Sequence, residues 1–320
     1  MMGLHHALQP AGPQAAHIAW LWWLTVGLCA VVALAVLAAL AHSLWKARRA
    51  KGSETELVAP PAAEHRARVA VTTAIALSVV GLVSLVAASA YTDRELARLP
   101  LQDAVNVEVV AKQWWWQVTY RFADPSQEFS TANEMVIPVG RPVMVTLKAE
   151  DVIHSFWVPN LGGKKDLIPG RTAKLPLRAD RAGKYRGQCA EFCGLQHAWM
   201  AFTVNAVPEA EFAGWLEAQR QPAAEPTDDR QRRGRDLFMS GSCVMCHAVQ
   251  GTLARARKAP DLTHVASRGM LAAGRIPNTA ENLRRWIAEP QKLKPGVNMP
   301  THNVPDEELD ALVAYVGSLK

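Results

Sequence analysis

The chain has 320 residues, of which 49% are hydrophobic, with a formal net charge of +6 and five cysteines. This length accommodates more than one domain, and so few cysteines exclude a small fold stapled by disulfides. The positive charge does not indicate a nucleic-acid partner, because the basic side chains concentrate in residues 46–68 and 231–320, where membrane topology and partner docking explain them.

Two uncharged apolar segments lie near the N-terminus. Residues 18–44 and 69–91 each exceed the roughly 20 apolar residues that span a bilayer core. A signal peptide is the alternative for the first segment, but its apolar run is long and no basic residue precedes it. The connecting loop holds the basic residues Lys46, Arg48, Arg49, Lys51, Arg66 and Arg68. The positive-inside rule therefore places this loop in the cytoplasm, and residues 1–91 are predicted to form a hairpin in a bacterial cytoplasmic membrane, with everything after it periplasmic.

Residues 92–220 are predicted to form an all-β domain. Short β-branched runs recur between 104 and 207, separated by turn signals, as in sandwiches and barrels. The runs are V-N-V-E-V-V, W-Q-V-T-Y-R-F, E-M-V-I-P-V, P-V-M-V-T-L and A-F-T-V-N-A-V.

A polar segment with two prolines, residues 221–230, is predicted to be a linker. Residues 231–320 after it have the pattern of short helices joined by Gly- and Pro-containing loops. The last helix is expected at 306–319, and one face carries Leu309, Leu312, Val313 and Val316.

Residues 189–200, C-A-E-F-C-G-L-Q-H-A-W-M, concentrate soft metal donors in one loop. The candidate ligands are Cys189, Cys193, His197 and Met200, joined by the upstream His154. Thiolate, thioether and imidazole favour copper or zinc. Two thiolates can bridge two copper ions, each with one histidine and one weak axial ligand. A zinc site remains an alternative, as do a disulfide and a core histidine, although structural zinc seldom recruits methionine.

A second cofactor motif, C-V-M-C-H, occupies residues 243–247. Cys-x-x-Cys-His is the signature for covalent attachment of c-type haem through Cys243 and Cys246, with His247 as the iron ligand. A thioredoxin-like redox pair and half of a zinc site are alternatives that lack supporting context. The candidates for the sixth iron ligand are Met239, Met245, Met270, Met299, His264 and His302, of which the first two lie too close to the motif.

The loop at 189–200 resembles the binuclear copper A loop of cytochrome c oxidase subunit II, pattern C-x-E-x-C-x3-H-x2-M. H-S-F-W-V-P, Q-W-W-W and K-x-D-L-I-P-G-R also resemble that family. The resemblance implies a multi-domain chain, with a two-helix transmembrane hairpin before an all-β cupredoxin-like barrel. The implied copper ligands are the side chains of His154, Cys189, Cys193, His197 and Met200 and the main-chain oxygen of Glu191.

The same resemblance implies further roles. The Glu191 carboxylate would face a magnesium ion at the interface with subunit I, and Trp114 would be the point of electron entry. Glu64 would match an acidic residue at the mouth of a proton path. Because alternate side chains of a strand face opposite sides, Trp115 is expected to be a core residue.

Residues 231–320 resemble a class I cytochrome c, an all-α domain, through G-R-D-L-F, A-P-D-L and a Met-Pro loop. The resemblance implies Met299 as the sixth ligand and a hydrogen bond from His247 to the Pro260 carbonyl. Together the two resemblances imply subunit II of a caa3-type cytochrome c oxidase.

The function implied is electron entry into an oxidase. A cytochrome c or a membrane donor would reduce haem c, copper A would follow, and subunit I, with subunit III, would reduce oxygen to water and pump protons. A nitric oxide reductase subunit with the same copper loop is the first alternative. A free membrane-tethered electron carrier is the second, but one span would suffice to anchor it.

Overall fold

The computed structural model describes residues 5–49 and 61–320. These residues divide into two compact units, one of them Ala16–Arg98 and the other the N-terminal residues up to Ala15 together with Leu99–Lys320. The predicted order of an apolar helix pair, a β domain and a helical domain is confirmed.

The helix pair consists of α1 (Pro13–Arg49) and α2 (Pro61–Ala97). Each has 37 residues and is therefore about 55 Å long at 1.5 Å per residue, against about 30 Å of bilayer hydrocarbon. Both are long and apolar enough to cross a membrane. They extend beyond the predicted spans because the flanking residues continue the helical pattern. The prediction for Lys51 lies outside the described residues.

The β domain, which follows the end of α2, contains two five-stranded sheets, with orders β3-β2-β1-β5-β8 and β4-β10-β9-β6-β7. The strands are β1 (Val105–Lys112), β2 (Trp115–Arg121), β3 (Phe129–Ala132), β4 (Glu134–Pro138), β5 (Val143–Ala149), β6 (His154–Trp157), β7 (Lys165–Leu167), β8 (Ala173–Leu177), β9 (Gly183–Cys189) and β10 (Ala201–Val207). β1 pairs with β5, and β4 with β10, in parallel, while the other pairs are antiparallel. Helix α3 (Glu209–Arg220) follows the last strand.

An aromatic cluster forms the core of the β domain beside the loop at 189–200, which we call the donor loop after its metal donors. The Trp116 ring lies 5.1 Å from Phe202 and 5.9 Å from Phe156, between ring centroids, and it is fully buried. The expectation that Trp115 is the core residue was wrong. Trp115 is only partly buried, because the alternation along β2 turns Trp116 inward instead, and Lys112 lies over the Trp115 ring.

The helical domain begins with α4 and has four α-helices and one short strand pair. They are α4 (Asp229–Ser240), α5 (Ala280–Ala288), α6 (Pro290–Leu293), α7 (Asp306–Val316), β11 (Met270–Leu271) and β12 (Ile276–Pro277). Three of the four residues predicted on the inner face of the last helix, Leu309, Leu312 and Val316, are buried. The fourth, Val313, is partly buried and packs at the edge of the same core.

The segment between α3 and α4 lies along the helical domain. The Ala223 amide donates to the Gln250 carbonyl at 3.0 Å, and the Gln221 carbonyl contacts His264 Nε2 at 3.1 Å. Asp228 caps α4 by accepting a hydrogen bond from the Gln231 amide, so the last residues of the predicted linker belong to the start of this helix.

Candidate metal centres

The donor loop connects β9 to β10 and is closed by the sheet. Cys189 ends β9, Met200 directly precedes β10, and the Cys189 amide donates to the Met200 carbonyl at 2.9 Å. A single turn of 3-10 helix, His197–Trp199, directs the intervening chain back toward the sheet. The antiparallel pairing of the two strands therefore fixes both ends of the loop.

The side chains of four predicted ligands lie close together, namely Cys189, Cys193, His197 and Met200. The two sulfurs are 3.8 Å apart, and Cys193 Sγ lies 3.7 Å from His197 Nδ1 and 3.8 Å from Met200 Sδ. The Glu191 carbonyl oxygen lies 3.1 Å from Cys189 Sγ. Both cysteines are free thiols, and both are buried with Met200.

His154 completes the set from a different part of the chain. It begins β6, which pairs with β9, and its Nδ1 lies 3.9 Å from Cys189 Sγ. Its other ring nitrogen, Nε2, is 2.8 Å from the Asp151 carboxylate. This arrangement presents Nδ1 to the sulfurs and fixes the ring, as carboxylate partners of metal-binding histidines do. Asp151 was not predicted, although its position three residues before His154 was visible in the sequence.

The local electrostatics favour ionisation of one of the two thiols. A hydrogen bond with Cys193, assisted by one with His154 and opposed by burial, lowers the pKa of the Cys189 thiol, and the same pairing together with burial raises the pKa of the Cys193 thiol. Burial would lower the pKa of His154, but hydrogen bonds with Cys189 and Asp151 raise it overall. The thiolate is the form of cysteine that binds a metal, so Cys189 is prepared for coordination.

The donor set fits copper. Ligands held at about 2.0–2.3 Å from one ion lie roughly 3.5–4 Å apart, which is the spacing of the five donors. The two central thiolates can bridge a pair of ions, and one imidazole and one weak donor then remain for each ion. The fully buried thioether of Met200 favours copper over structural zinc.

Trp114 lies directly against the donor loop. Its indole Nε1 donates to the Cys193 carbonyl at 2.8 Å, and the neighbouring Gln113 side chain donates to the same carbonyl at 2.8 Å. The Gln113–Trp114 peptide bond is cis. Gly194 makes this contact possible, because it has φ +107° and an added Cβ would lie 3.1 Å from the Trp114 ring.

The haem motif lies in a compact turn of the helical domain. Cys243 and its neighbours form a 3-10 turn, and the His247 amide donates to the Cys243 carbonyl at 3.0 Å. The His247 Nδ1 lies 2.7 Å from the Pro260 carbonyl, as the resemblance to cytochrome c implied. Burial lowers the pKa of His247, so the imidazole is held neutral, the form that binds iron.

Contacts of two candidates for the sixth iron ligand, His264 and Met299, bear on their roles. The ring of His264 contacts the Gln221 carbonyl and is buried there. The segment of Met299 is held by Gln291, whose side-chain amide donates to the carbonyls of Val297 at 2.6 Å and Met299 at 2.9 Å. The Met299 side chain is partly exposed and carries no competing hydrogen bond that the structure describes.

Two further residues, Glu191 and Glu64, were predicted to have roles through their carboxylates. The Glu191 side chain is partly exposed at the edge of the donor loop, next to the exposed Phe192. Glu64 lies in the first turn of α2 and forms an exposed ion pair with Arg68, with a nitrogen–oxygen distance of 3.1 Å.

Comparisons with known proteins agree with the prediction of a subunit II domain followed by a cytochrome c domain. The family model for the periplasmic domain of cytochrome c oxidase subunit II matches residues 122–207, and the cytochrome c model matches residues 231–320. Cytochrome c oxidase subunit 2 of Alkalihalophilus pseudofirmus is 35% identical over 319 residues, 98% of this chain and 90% of the relative. The protein of the same name from Bacillus subtilis is 36% identical over 231 residues, 68% of this chain and 63% of the relative.

Among solved structures, the periplasmic domain of subunit II of cytochrome oxidase from Bradyrhizobium japonicum is 34% identical. It covers 36% of this chain and 93% of its own, with a TM-score of 0.33. The names of the relatives favour an oxidase over a nitric oxide reductase. A relative at 35% identity over nearly the whole length confirms the resemblance drawn from the sequence. This chain belongs to the cytochrome c oxidase subunit II family and carries a cytochrome c domain after its copper-domain fold.

Proposed function

We propose that this chain receives electrons from a donor on a covalently bound haem c and relays them to a binuclear copper A centre. From there they pass to subunit I, which reduces oxygen to water and pumps protons. The observation that carries the proposal is the convergence of five soft donors around Cys189 and Cys193, with Trp114 hydrogen-bonded to the same loop. The haem motif in the same chain supplies the second redox group.

The copper pair would be held by the donor loop and β6. The ligands are the side chains of His154, Cys189, Cys193, His197 and Met200 and the main-chain oxygen of Glu191. When bound, copper A supplies one-electron redox chemistry. The protein residues keep the site rigid, because Asp151 orients His154 and the buried aromatic cluster beside them excludes water.

Haem c would be attached by thioether bonds to Cys243 and Cys246. His247 would give its Nε2 to the iron, since Nδ1 donates its hydrogen to the Pro260 carbonyl and so fixes the tautomer. Met299 would be the sixth ligand, and methionine–histidine ligation raises the potential of the haem. Joining both redox groups in one chain replaces a collision with an intramolecular step at high effective concentration.

The partners and the location follow from the family and the helices. Subunit I would contact the helix pair and the donor loop, where the Glu191 carboxylate would face a magnesium ion, and subunit III would complete the complex. The donor would be a cytochrome c or a membrane carrier. The helices would anchor the chain in the bacterial cytoplasmic membrane, with the β and helical domains in the periplasm. Glu64 would then lie at the cytoplasmic end of α2.

Purification of the complex through a tag on this chain tests the proposal. Native membranes are the source, a reduced donor is supplied, and the consumption of oxygen and of nitric oxide is followed separately. Cyanide-sensitive oxygen uptake is expected. Turnover of nitric oxide without oxygen uptake would instead assign the chain to a reductase.

Cys189→Ser provides the decisive variant, with Cys29→Ser as its matched control. Cys189 lies in the donor set, whereas Cys29 is exposed on α1. The first variant is expected to lose the binuclear copper signature and oxygen uptake while keeping the haem spectrum. The control should keep all three. A copper signature that survives in Cys189→Ser would show that the ligand set is wrong.

A further inference from the structure

The helical domain contacts the β domain at the segment that carries Trp114. The ammonium group of Lys294 donates to the Trp114 carbonyl at 2.9 Å and reaches the Ala272 carbonyl at 3.4 Å. Asn298 donates through its side-chain amide to the Gln113 carbonyl at 2.9 Å. Lys294 directly follows α6 and Asn298 directly precedes Met299, so the segment that would ligate the haem also touches the proposed entry point to copper.

Further contacts hold the same two surfaces together. The Ala201 amide, next to Met200, donates to the Ala273 carbonyl at 3.0 Å. The Gly269 amide donates to the Glu134 carboxylate at 3.2 Å. The Arg275 guanidinium lies over the Trp199 ring, 4.3 Å from its centroid. The helical domain is therefore docked on the β domain through several independent bonds.

Lys294 is the unusual member of this interface. Its exposure is 1%, and within the described part of the chain no carboxylate lies within ion-pair distance of its ammonium group. Burial lowers its pKa to about 7. A buried ammonium group is tolerated only where its hydrogens are bonded, and here the Trp114 and Ala272 carbonyls accept from it. Lys294 supplies a hydrogen-bond donor for the carbonyl of Trp114, which is buried at the interface.

We propose that Lys294 is a positioning residue that clamps the helical domain on Trp114, so that haem and copper exchange electrons in a fixed docked state. The inference rests on the proposed function and adds the residue that sets its geometry. The step moves one electron from the reduced haem to the oxidised copper pair, and no bond forms or breaks. A hydrogen-bonded route connects the partners, from Asn298 to Gln113 and from the Gln113 side chain to the Cys193 carbonyl.

The test measures electron transfer inside the purified oxidase complex. A flash-excited ruthenium photoreductant reduces the haem, and its reoxidation by copper is followed by absorbance in buffer and in added glycerol. The wild-type rate is expected to be independent of viscosity, because no domain movement precedes the step. In Lys294→Met the rate should fall about tenfold, because the docked state is no longer the main one, and it should now decrease with viscosity.

Two further variants keep the result interpretable. Lys292→Met is the matched control, because Lys292 lies two residues away on α6 and is exposed, and it should behave as wild type. Asn298→Ala removes an exposed hydrogen bond and should slow the step by a smaller factor without affecting folding. Haem and copper spectra, and reduction of the haem by the external donor, should be unchanged in all three variants.

Two results would contradict electron transfer in a fixed docked state. A wild-type rate that falls in proportion to viscosity would show that a swivelling domain limits the step and would overturn the inference. The same holds if Lys294→Met, with intact spectra, transfers electrons at the wild-type rate. If the wild-type haem never reduces copper at all, the proposed function fails instead, so the two failures are distinguishable.

Discussion

Replacement of Gly234 by alanine should destabilise the helical domain selectively. Gly234 lies in α4 where this helix crosses α7, and a Cβ built on it would lie 1.9 Å from the Ala311 carbonyl oxygen and 2.8 Å from the Tyr315 Cβ. Close carbon–oxygen contacts in proteins are about 3.3–3.6 Å, so the two helices must separate by more than about 1 Å.

The cost of this separation can be bounded. Overpacking a core by one methyl group costs about 1–3 kcal/mol, and here the obstacle is backbone that cannot rotate away, so the upper end of about 3 kcal/mol applies. Alanine offsets about 1 kcal/mol through its better helix propensity. We expect a net loss of about 2 kcal/mol in the stability of the helical domain, with a reduced fraction of attached haem.

Gly214→Ala is the matched control for this change. Gly214 also lies inside a helix, α3, but an added Cβ meets no atom within 4 Å. The control should therefore be neutral or more stable by up to about 1 kcal/mol. Thermal unfolding of the purified complex, followed through the haem absorbance, compares the two variants. If Gly234→Ala unfolds at the same temperature as the control, α4 and α7 do not approach each other as closely in the protein as in the structure.

Three other substitutions test individual contacts. Asp151→Asn should weaken copper binding about 10–100-fold, since the carboxylate that orients His154 is lost, and titration with a copper chelator measures the change. Met299→Ala should abolish the low-spin, methionine-ligated haem spectrum. If only Met270→Ala does so, the sixth ligand is there. Burial raises the pKa of Glu134 despite its hydrogen bond with a backbone amide. The folded state thus holds this proton to higher pH than the unfolded state, and stability falls as the pH rises above about 4.5 through the raised value. Glu134→Gln should flatten this part of the pH profile of thermal unfolding.

The strands that the sequence revealed are those with β-branched runs. β1, β2, β4, β5 and β10 were all predicted within a few residues of their observed bounds. β9 was missed because G-K-Y-R-G-Q-C has no such run, and two of its seven residues are glycines. One of them, Gly187, is required by packing, since an added Cβ would lie 2.1 Å from the Phe202 ring. Tertiary contact, not local propensity, makes this segment a strand.

The candidate ligands were visible because metal chemistry restricts residue types. Only a few side chains bind soft metals, and their spacing in 189–200 is readable without knowledge of the fold. The tryptophan run shows the limit of the same approach. The sequence indicated that alternate tryptophans face opposite sides of the strand, but it did not show which of them face the core. That depends on the residue at which β2 begins, which is Trp115. A shift of one residue exchanges the two faces of a strand, which is why Trp116 and not Trp115 fills the core.

The docking of the helical domain was beyond prediction for a different reason. Lys294 and Asn298 both bond to main-chain carbonyls, which every residue possesses, so their partners leave no trace in side-chain composition. Lys294 is also two residues from Lys292, and nothing in the sequence separates the buried lysine from the exposed one. A contact between a side chain and a backbone atom depends only on the path of the chain. The electron route that we propose across this interface therefore becomes apparent only when both domains are folded and in contact.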